Sequence, residues 1–444
     1  MRWTGLARGL VLSLSLIALL PFAAVSRAQQ RMSSFDMDES RGMLRDALDA
    51  VKKYYYDPKY HGIDLEKRYR EYDEKIKDAP SLNQGMRMVA AFLAGFNDSH
   101  LFFIPPPRPY RIDYGYRYQL VGNDAYIMRT RPGTDAESKV HPGDRIVFLN
   151  SYAINREDFD QLAYYFGALA PQPATALDVM DPSGATRHVA VDSKVREEKK
   201  ELDLTGGDGG NDLNQLNLRG EDEYHLLDER YIEAGDVMYW KMPEFILDQV
   251  LVEHMFAIAH KHQTLVLDLR SNPGGSIDTL EHLIGNVFDH DVKIADRVGR
   301  KDMKPQLAKT VGDRCFKGKI IVLVDSLSGS SSELFARVMQ LEKRGVVIGD
   351  RTYGGVMEAR QYPYSQGLDT KIFYGFSVTD ADLIMKDGKS IEHTGVTPDE
   401  VVLPTGQDLA AGRDPALARA SELAGAKISP AEAGKMFPFK WEPF

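Results

Sequence analysis

The sequence predicts a multi-domain α+β protein, and three changes of pattern along the chain support this. Helical periodicity dominates the first hundred residues, short strands and turns follow, and strands alternate with helices from residue 236 onward. The 444 residues are more than one ordinary core holds, and an apolar fraction of 43% is typical of globular proteins. We therefore expect an N-terminal helical region, a β domain, and an α/β domain whose central sheet is covered by helices.

Residues 33–107 are predicted to form the helical region. Leu44, Leu48, Val51 and Tyr55 recur at steps of three and four residues, the spacing of one helix face. The proline run at 105–107 ends this region as a stiff spacer.

Residues 110–195 are predicted to form the β domain, because short alternating strands are separated by turn residues. Residues 140–150, VHPGDRIVFLN, resemble the K-P-G-D-x-I-x-x-I-N stretch of bacterial PDZ domains. The resemblance implies a PDZ-like domain that binds extended chain ends by adding a strand to its sheet edge. The alternative is a small structural β domain without a ligand.

A polar linker at 196–235 separates this domain from the α/β domain, which we place at 236–405 and which is followed by a C-terminal tail at 406–444. Apolar runs at 264–269 and 319–324 are predicted to be buried strands, and helices are expected between them. Alternation of this kind is typical of a central sheet with helices packed on it.

The N-terminus has the pattern of a secretory signal peptide over residues 1–28. Arg2 and Arg8 precede an almost wholly apolar stretch, and Ser26-Arg27-Ala28 offers a small-x-small cleavage site. An uncleaved membrane anchor is the alternative, although the apolar stretch is short for a spanning helix. No later segment is long and apolar enough, so we expect an exported protein, periplasmic or secreted, without a stable membrane span after cleavage.

Composition and motifs argue against several function classes. The formal net charge of −10 argues against nucleic acid as a partner. The chain has no phosphate-binding or dinucleotide fingerprint, and its histidines lack the H-E-x-x-H spacing of zinc peptidases, so we expect no cofactor and no metal. The single cysteine, Cys315, can form no internal disulfide.

Residues 324–335 read VDSLSGSSSELF, an apolar strand that passes through small residues into a helix. Such a turn exposes a hydroxyl, and the N–H groups of the following helix point toward any developing oxyanion. Taken alone, the same residues would be an ordinary serine-rich helix cap. They resemble the S-A-S-A-S-E turn of the tail-specific (C-terminal processing) proteases, which implies that Ser330 is the nucleophile.

A second segment supports the same resemblance. Residues 268–275, DLRSNPGG, are similar to the D-L-R-x-N-x-G-G stretch of that family and lie about sixty residues before Ser330. In the family, a glycine N–H and the amide that follows the nucleophile form the oxyanion hole. The resemblance therefore implies that Gly274 or Gly275 pairs with Ser331.

The family's lysine base is missing. Residues 352–356, TYGGV, stand where the family has T-F-G-K-G, so Gly355 occupies the lysine position. Residues 97–100, NDSH, and the E-x-x-G-V-x-P-D match at 392–399 resemble the tricorn protease core, which uses histidine as the base. That resemblance implies His100 as general base, oriented by Ser99 and Glu392. The alternatives are that His100 only packs at a domain boundary, or that Lys386 or Lys389 supplies a relocated base.

These resemblances imply an exported serine endopeptidase of the C-terminal processing type, which forms an acyl-enzyme on Ser330. Its partners would be protein or peptide substrates, selected by the PDZ-like domain through their chain ends. The alternative is a non-catalytic binding protein on the same fold, with peptides or apolar ligands as its cargo. The absence of lysine at position 355 favours this alternative, because a serine hydroxyl without a positioned base is a weak nucleophile.

Overall fold

The computed structural model describes residues 32–197, 230–367 and 371–441. The predicted signal peptide and most of the polar linker lie outside the described residues. The described part contains one helical region and several separate sheets, so the predicted multi-domain α+β architecture is confirmed.

The helical region is built from three amphipathic helices, each started by a polar cap. Ser33, Asp64 and Ser81 accept hydrogen bonds from backbone N–H groups in the first turns of their helices. The apolar faces of the helices pack on one another and on a neighbouring sheet. The bounds are α1 (Ser34–Tyr54), α2 (Leu65–Lys77) and α3 (Leu82–Ala94).

The small β domain is an antiparallel sheet in which the first strand forms one edge. Its strand order is β3-β4-β5-β7-β8, and β6 pairs with β5. The strands are β3 (Tyr116–Val121), β4 (Asp124–Thr130), β5 (Arg145–Leu149), β6 (Tyr152–Ala153), β7 (Ala174–Met180) and β8 (Thr186–Asp192). The domain also contains α4 (Asp135–Lys139) and α5 (Phe159–Tyr164), which continues as a π-helical turn to Leu169.

Two short strands flank the small β domain in the sequence and pair with each other. They are β2 (Tyr110–Asp113) and β9 (Lys194–Glu197), which run antiparallel. They bring the two ends of the domain together below the proline spacer. The remaining early strand, β1 (Phe102–Ile104), begins two residues after His100 and belongs to a different sheet.

The α/β domain is centred on a mostly parallel sheet with the strand order β10-β11-β12-β15-β16-β19. Only β10 runs antiparallel to its neighbour. The strands are β10 (Arg230–Ala234), β11 (Val237–Lys241), β12 (Thr264–Asp268), β15 (Lys319–Val324), β16 (Val346–Gly349) and β19 (Glu400–Val401). Strand β15 follows the prediction to the residue.

Helices cover both faces of this sheet, because alternate strand residues point into two separate cores. Leu265 and Leu267 belong to the core under one set of helices, whereas Val266 belongs to the core on the opposite face. The first set is α6 (Gln249–Ala259), α7 (Ile277–Gly285) and α8 (Ser331–Leu341). The opposite set includes α10 (Pro415–Leu423) and α11 (Pro430–Met436), which follow α9 (Gly406–Ala410).

A further sheet, not predicted from the sequence, joins the helical region to the α/β domain. Its long strand β18 pairs with β1, β13 and β17, and β14 pairs with β13. Tyr374, Phe376 and Val378 of β18 lie in the core under the N-terminal helices. The strands are β13 (Val292–Gly299), β14 (Gln306–Ala308), β17 (Met357–Gln366) and β18 (Ile372–Ile384).

This sheet brings an early segment of the chain beside a late one. In the β1–β18 pair, Phe102 lies opposite Ser377, so the residues just before β1 reach the α/β domain. Among the helices of the described residues, none is long and apolar enough to cross a membrane.

Candidate active site

The turn before α8 holds Ser330 in a strained backbone conformation. Ser330 has φ 50° and ψ −116°, a region that residues with a Cβ rarely adopt, and it is the N-cap of the helix. Its N–H donates to the Gly355 carbonyl (3.1 Å) and to Glu333 Oε2 (3.0 Å). The Ser330 side chain is partly exposed, whereas Ser331 is buried. A strained, partly exposed serine between strand and helix fits the predicted nucleophile.

The carboxylate of Glu333 fixes this turn to residues 352–355. Glu333 is fully buried, and its oxygens accept from Thr352 Oγ1 (2.5 Å), Gly354 N (2.7 Å) and Gly355 N (3.0 Å) as well as from Ser330 N. Burial raises the pKa of Glu333 to about 7, although these four hydrogen bonds favour the ionised form. The sequence does not predict this contact, because the burial of Glu333 is set by the distant 352–355 segment.

The glycine pair at 274–275 lies directly against the serine turn. A Cβ on Gly274 would come within 2.6 Å of Ser330 Cβ and 2.9 Å of Ser331 N. A Cβ on Gly275 would meet the Phe245 carbonyl oxygen at 2.5 Å, and both glycines have positive φ. The glycines are therefore required by close backbone approach on either side.

The backbone hydrogen bonds distinguish the two glycines. Gly274 N–H donates to Asn272 Oδ1 (2.9 Å), so it is already engaged. The Gly274 carbonyl accepts from Phe245 N (2.7 Å), and no peptide bond of the described residues is cis. The N–H of Gly275 belongs to the same trans peptide and points away from Phe245. Its orientation makes Gly275 the better candidate donor.

The predicted base segment forms a continuous chain of hydrogen bonds to Glu392. His100 Nδ1 lies 2.7 Å from Ser99 Oγ, which lies 2.9 Å from Glu392 Oε2. Glu392 Oε1 also accepts from the Ser99 N–H (2.8 Å). These three residues, separated by up to 293 positions in the sequence, are thus brought together.

The order of donors determines the histidine tautomer. A carboxylate can only accept, so the Ser99 hydroxyl must donate to Glu392 and accept the proton of His100 Nδ1. The neutral imidazole then carries its lone pair on Nε2, the nitrogen that a general base needs. Burial lowers the pKa of His100 below its usual range, although the carboxylates of Glu392 and Asp98 act in the opposite direction.

Asp98 and His393 make further contacts that hold the base segment in place. Asp98 Oδ1 accepts from the N–H of His100 (2.9 Å) and from Thr379 Oγ1 (2.7 Å), which fixes the segment to β18. His393 Nε2 lies 2.7 Å from the Asn97 carbonyl oxygen, and it lies 3.5 Å from Glu392 Oε1. No motif in the sequence predicts that His393 lies against the base segment.

Gly355 and Val356 join the serine turn to the base segment. The Gly355 carbonyl accepts from Ser330, and Val356 N–H donates to Glu392 Oε2 (2.7 Å). A Cβ on Gly355 would lie 3.3 Å from Ser99 Oγ and 2.5 Å from the Tyr353 ring. The position of the family lysine is therefore the point where both parts of the site meet, and the Tyr353 ring fills the space of its side chain.

The alternative lysines have other surroundings. Lys386 Nζ is held by the Glu342 carboxylate at 2.8 and 2.9 Å, and Lys389 is exposed in the turn after β18. A lysine base needs a buried environment, and both residues are exposed. Within the described ranges, no group of three or more His, Cys, Asp or Glu side chains could hold a metal ion.

Comparison with known proteins finds similar peptidases. Residues 236–402 match peptidase family S41, and residues 36–81 match the tricorn protease C1 domain. The tail-specific protease of Haemophilus influenzae is 26% identical over 301 residues, which cover 64% of this chain and 39% of that protein. The carboxy-terminal-processing protease of Bartonella bacilliformis is 29% identical over 251 residues, which cover 53% of this chain and 55% of that protein.

A solved structure of mature CPAF complexed with lactacystin has the same fold, with a TM-score of 0.62 and 15% sequence identity. The match covers 85% of this chain and 96% of that chain. This chain spans 39% of the length of the Haemophilus protein and 55% of the length of the Bartonella protein. Residues 236–402, which include the Ser330 turn and Glu392, are thus similar to peptidase family S41, and the chain is similar to the tail-specific and carboxy-terminal-processing proteases.

Proposed function

We propose that this chain is a serine endopeptidase that hydrolyses peptide bonds through an acyl-enzyme on Ser330, with His100 as general base. The observation that carries the proposal is the hydrogen-bond chain from His100 Nδ1 through Ser99 Oγ to Glu392, since it leaves Nε2 as the proton acceptor. This chain replaces the lysine that is absent at Gly355. Ser99 and Glu392 act as orienting residues.

In the first half of the reaction, Ser330 Oγ attacks the carbonyl carbon of the scissile peptide and its proton passes to His100 Nε2. Glu392, through Ser99, stabilises the imidazolium that forms. The carbon–nitrogen bond then breaks, and His100 returns the proton to the leaving amine. In the second half, His100 accepts a proton from water as the water oxygen attacks the ester carbonyl carbon. The bond from that carbon to Ser330 Oγ then breaks, His100 returns the proton to Ser330 Oγ, and the acid product leaves.

The negative oxygen formed in each half needs hydrogen-bond donors. We assign these to the N–H groups of Ser331 and Gly275, because the N–H of Gly274 is engaged by Asn272. The helix α8 begins at Ser331, so the positive end of its dipole adds to the same stabilisation.

The small β domain is positioned to present the substrate. A cavity of about 870 Å³ lies between the edge strand β3 and helix α5, and Leu327, three residues before Ser330, is part of its wall. An extended peptide added to the edge of β3 would therefore lead toward the nucleophile. This arrangement supports the assignment of residues 110–195 as a PDZ-like domain.

The N-terminal sequence supports export. A positively charged start, an apolar stretch and a small-residue cleavage site are the features that the export machinery recognises. Periplasmic and secreted forms are both consistent with this pattern. N-terminal sequencing of the mature protein should begin at Gln29, and an intact Arg2 would contradict cleavage.

The proposed function is tested by treating the full chain with a fluorophosphonate probe and locating the adduct by mass spectrometry. The adduct is expected on Ser330, and labelling should be much slower in His100→Ala. A chain that binds peptides but takes no label would be a non-catalytic binding protein on the same fold. Label on another serine would overturn the assignment of Ser330.

A further inference from the structure

The cavity beside β3 has an unusual wall for a protein of net charge −10. Arginines and aromatic side chains dominate it, and Asp113 is its one acidic residue among the described residues. Arg117 and Arg131 lie over the Trp441 ring, at 5.8 and 4.5 Å, and Arg131 pairs with Asp113 at 2.6 Å. These two guanidinium groups thus have partners within the chain, and they do not decide what the cavity binds.

Arg108 differs from them. Its guanidinium is half-buried at the end of the proline spacer and donates to the Leu169 carbonyl (3.0 Å). Burial lowers the pKa of Arg108, and the neighbouring charge of Arg87 lowers it further. Within the described residues, no carboxylate is among the groups whose charge acts on it. A desolvated cation in a cavity wall without a counter-ion favours an anionic ligand.

Arg87 is a second cation whose charge acts on Arg108, and it forms no ion pair with a carboxylate of the described residues. Its Nη1 donates to the Tyr165 hydroxyl (2.8 Å), and it lies over the Tyr165 ring at 5.0 Å. Its Nε is buried and has no hydrogen-bond partner in the described part of the chain. The like charge of Arg87 disfavours the charged form of Arg108, and an anion bound beside Arg108 would offset this effect.

The opposite end of the cavity argues against a free chain end as this anion. The turn before β3 could offer the Gly115 N–H and the Arg131 guanidinium to a terminal carboxylate. Both are already used by Asp113, whose Oδ1 accepts from Gly115 N at 2.8 Å and whose Oδ2 pairs with Arg131. A second carboxylate at this place would be repelled by the first.

We propose that the groove between β3 and α5 binds an internal acidic segment of the substrate, in which an Asp or Glu side chain pairs with Arg108. The aromatic wall, which includes Phe159 and Tyr164, packs against the rest of the segment. The inference rests on the proposed function for the identity of the ligand as a substrate, but not for the binding itself. It differs from the chain-end selection that the sequence resemblance implies.

The test uses the full chain carrying Ser330→Ala and fluorescein-labelled extended peptides, with binding followed by fluorescence anisotropy. One peptide contains three glutamates, its partner has glutamine at the same positions, and each is made with a free and an amidated C-terminus. The glutamate peptide should bind at least about tenfold more tightly, since a charge-assisted hydrogen bond is lost in its partner. Amidation should change binding by less than about twofold.

Variants then assign the effect to Arg108. Arg108→Gln should bind both peptides equally, Arg108→Lys should keep most of the preference, and the matched control Arg360→Gln, an exposed arginine on β17, should keep all of it. In the protein that retains Arg108, raising the salt concentration should reduce the preference for the glutamate peptide over the glutamine peptide. This measurement tests the proposal even if an Arg108 variant fails to fold.

Equal binding of the two peptides, or a preference that survives in Arg108→Gln, would overturn the proposal. Loss of binding on amidation would do so as well, because it would restore recognition of chain ends. Since Ser330→Ala cannot turn over, these outcomes are independent of catalysis. If Ser330→Ala binds the peptides as predicted but the chain with Ser330 intact does not cleave peptides, only the proposed function would be contradicted.

Discussion

The two parts of the candidate site are built in different ways. The serine turn comes from two short segments of one domain, at 272–275 and 328–333, and each segment begins within a few residues of the end of a strand of the central sheet. The base segment combines Ser99 and His100 with Glu392, nearly three hundred residues later. The first part depends on local turn geometry, and the second depends on the pairing of β1 with β18.

Because of this difference, a mutation can disturb the serine turn without disturbing the base segment, and the reverse. Changes near Ser330 act on the nucleophile through Glu333 and the glycine pair, whereas changes in the β1–β18 sheet act on the base. Gly355 contacts both parts, because its carbonyl accepts from Ser330 and a Cβ there would meet Ser99 and Tyr353. Mutations in the two parts should therefore have separable effects, except at Gly355.

The largest effect is expected from Ser330→Ala, which removes the nucleophile. Peptidase kcat should fall by about 10⁶-fold, as for other catalytic serines, while the fold is retained because the Ser330 backbone bonds remain. Ser183→Ala, in the hairpin turn of the small β domain, is the matched serine control and should leave kcat unchanged. Residual activity of Ser330→Ala near the unmodified level would remove the serine turn from the account.

His100→Ala tests the base segment and should lower kcat by about 10²- to 10⁴-fold, the usual contribution of a general base. His393→Ala is the matched control, since His393 also lies beside Glu392 but is bonded to Asn97. It should lower kcat by less than about tenfold. If His393→Ala were the more damaging of the two, the roles of the histidines would have to be exchanged.

Glu333→Gln tests how the serine turn is held. A glutamine amide cannot accept from all four donors, so we expect a loss of about 1–3 kcal/mol in the free energy of unfolding and a fall in kcat of tenfold or more. Glu342→Gln, whose carboxylate pairs with exposed Lys386, should cost less than about 1 kcal/mol.

The pH dependence sharpens the same comparison. The pKa of Glu333 is raised to about 7 in the folded state, so the folded chain binds the proton more tightly than the unfolded chain. Stability relative to Glu333→Gln should thus fall as the pH rises from about 4.5 to 7, and then stay constant. Chemical denaturation at several pH values measures this, and a difference that grows with pH would contradict the burial of Glu333.

The smallest effect is expected from Gly355→Lys, which places the family lysine in the chain. The new side chain meets the Tyr353 ring and Ser99, so kcat should fall several-fold and stability by about 1–3 kcal/mol. Gly355→Ala should show most of the same loss, because the clash begins at Cβ. If kcat increased in Gly355→Lys but not in Gly355→Ala, the new lysine would be acting as the base for Ser330.

The strand–turn–helix pattern around Ser330 could be predicted from the sequence because it is local. Strand β15, the small residues around Ser330 and the Gly274–Gly275 turn lie within short segments that each have a characteristic composition. The order of the domains could be predicted for the same reason. The choice of Gly275 over Gly274 could not, because it depends on the hydrogen bond from Gly274 N–H to Asn272.

The sheet that contains β1 and β18 could not be predicted from the sequence, for physical reasons. Strand β17 carries polar and charged residues on its exposed face and contains Pro363, which argues against a strand when only the sequence is considered. The burial of Glu333 is a long-range result of packing, because its partners lie at 352–355. No local pattern in the chain encodes it.

The pH dependence of fluorophosphonate labelling at Ser330 tests the central claim most directly. The rate should rise with pH through one ionisation below about 6.5, because burial lowers the pKa of His100 and only the neutral imidazole accepts the serine proton. Glu392→Gln should move this ionisation to lower pH, since the Glu392 carboxylate raises the pKa of His100. A rate governed by a group that titrates at about 8 or above, and insensitive to Glu392→Gln, would contradict a histidine base.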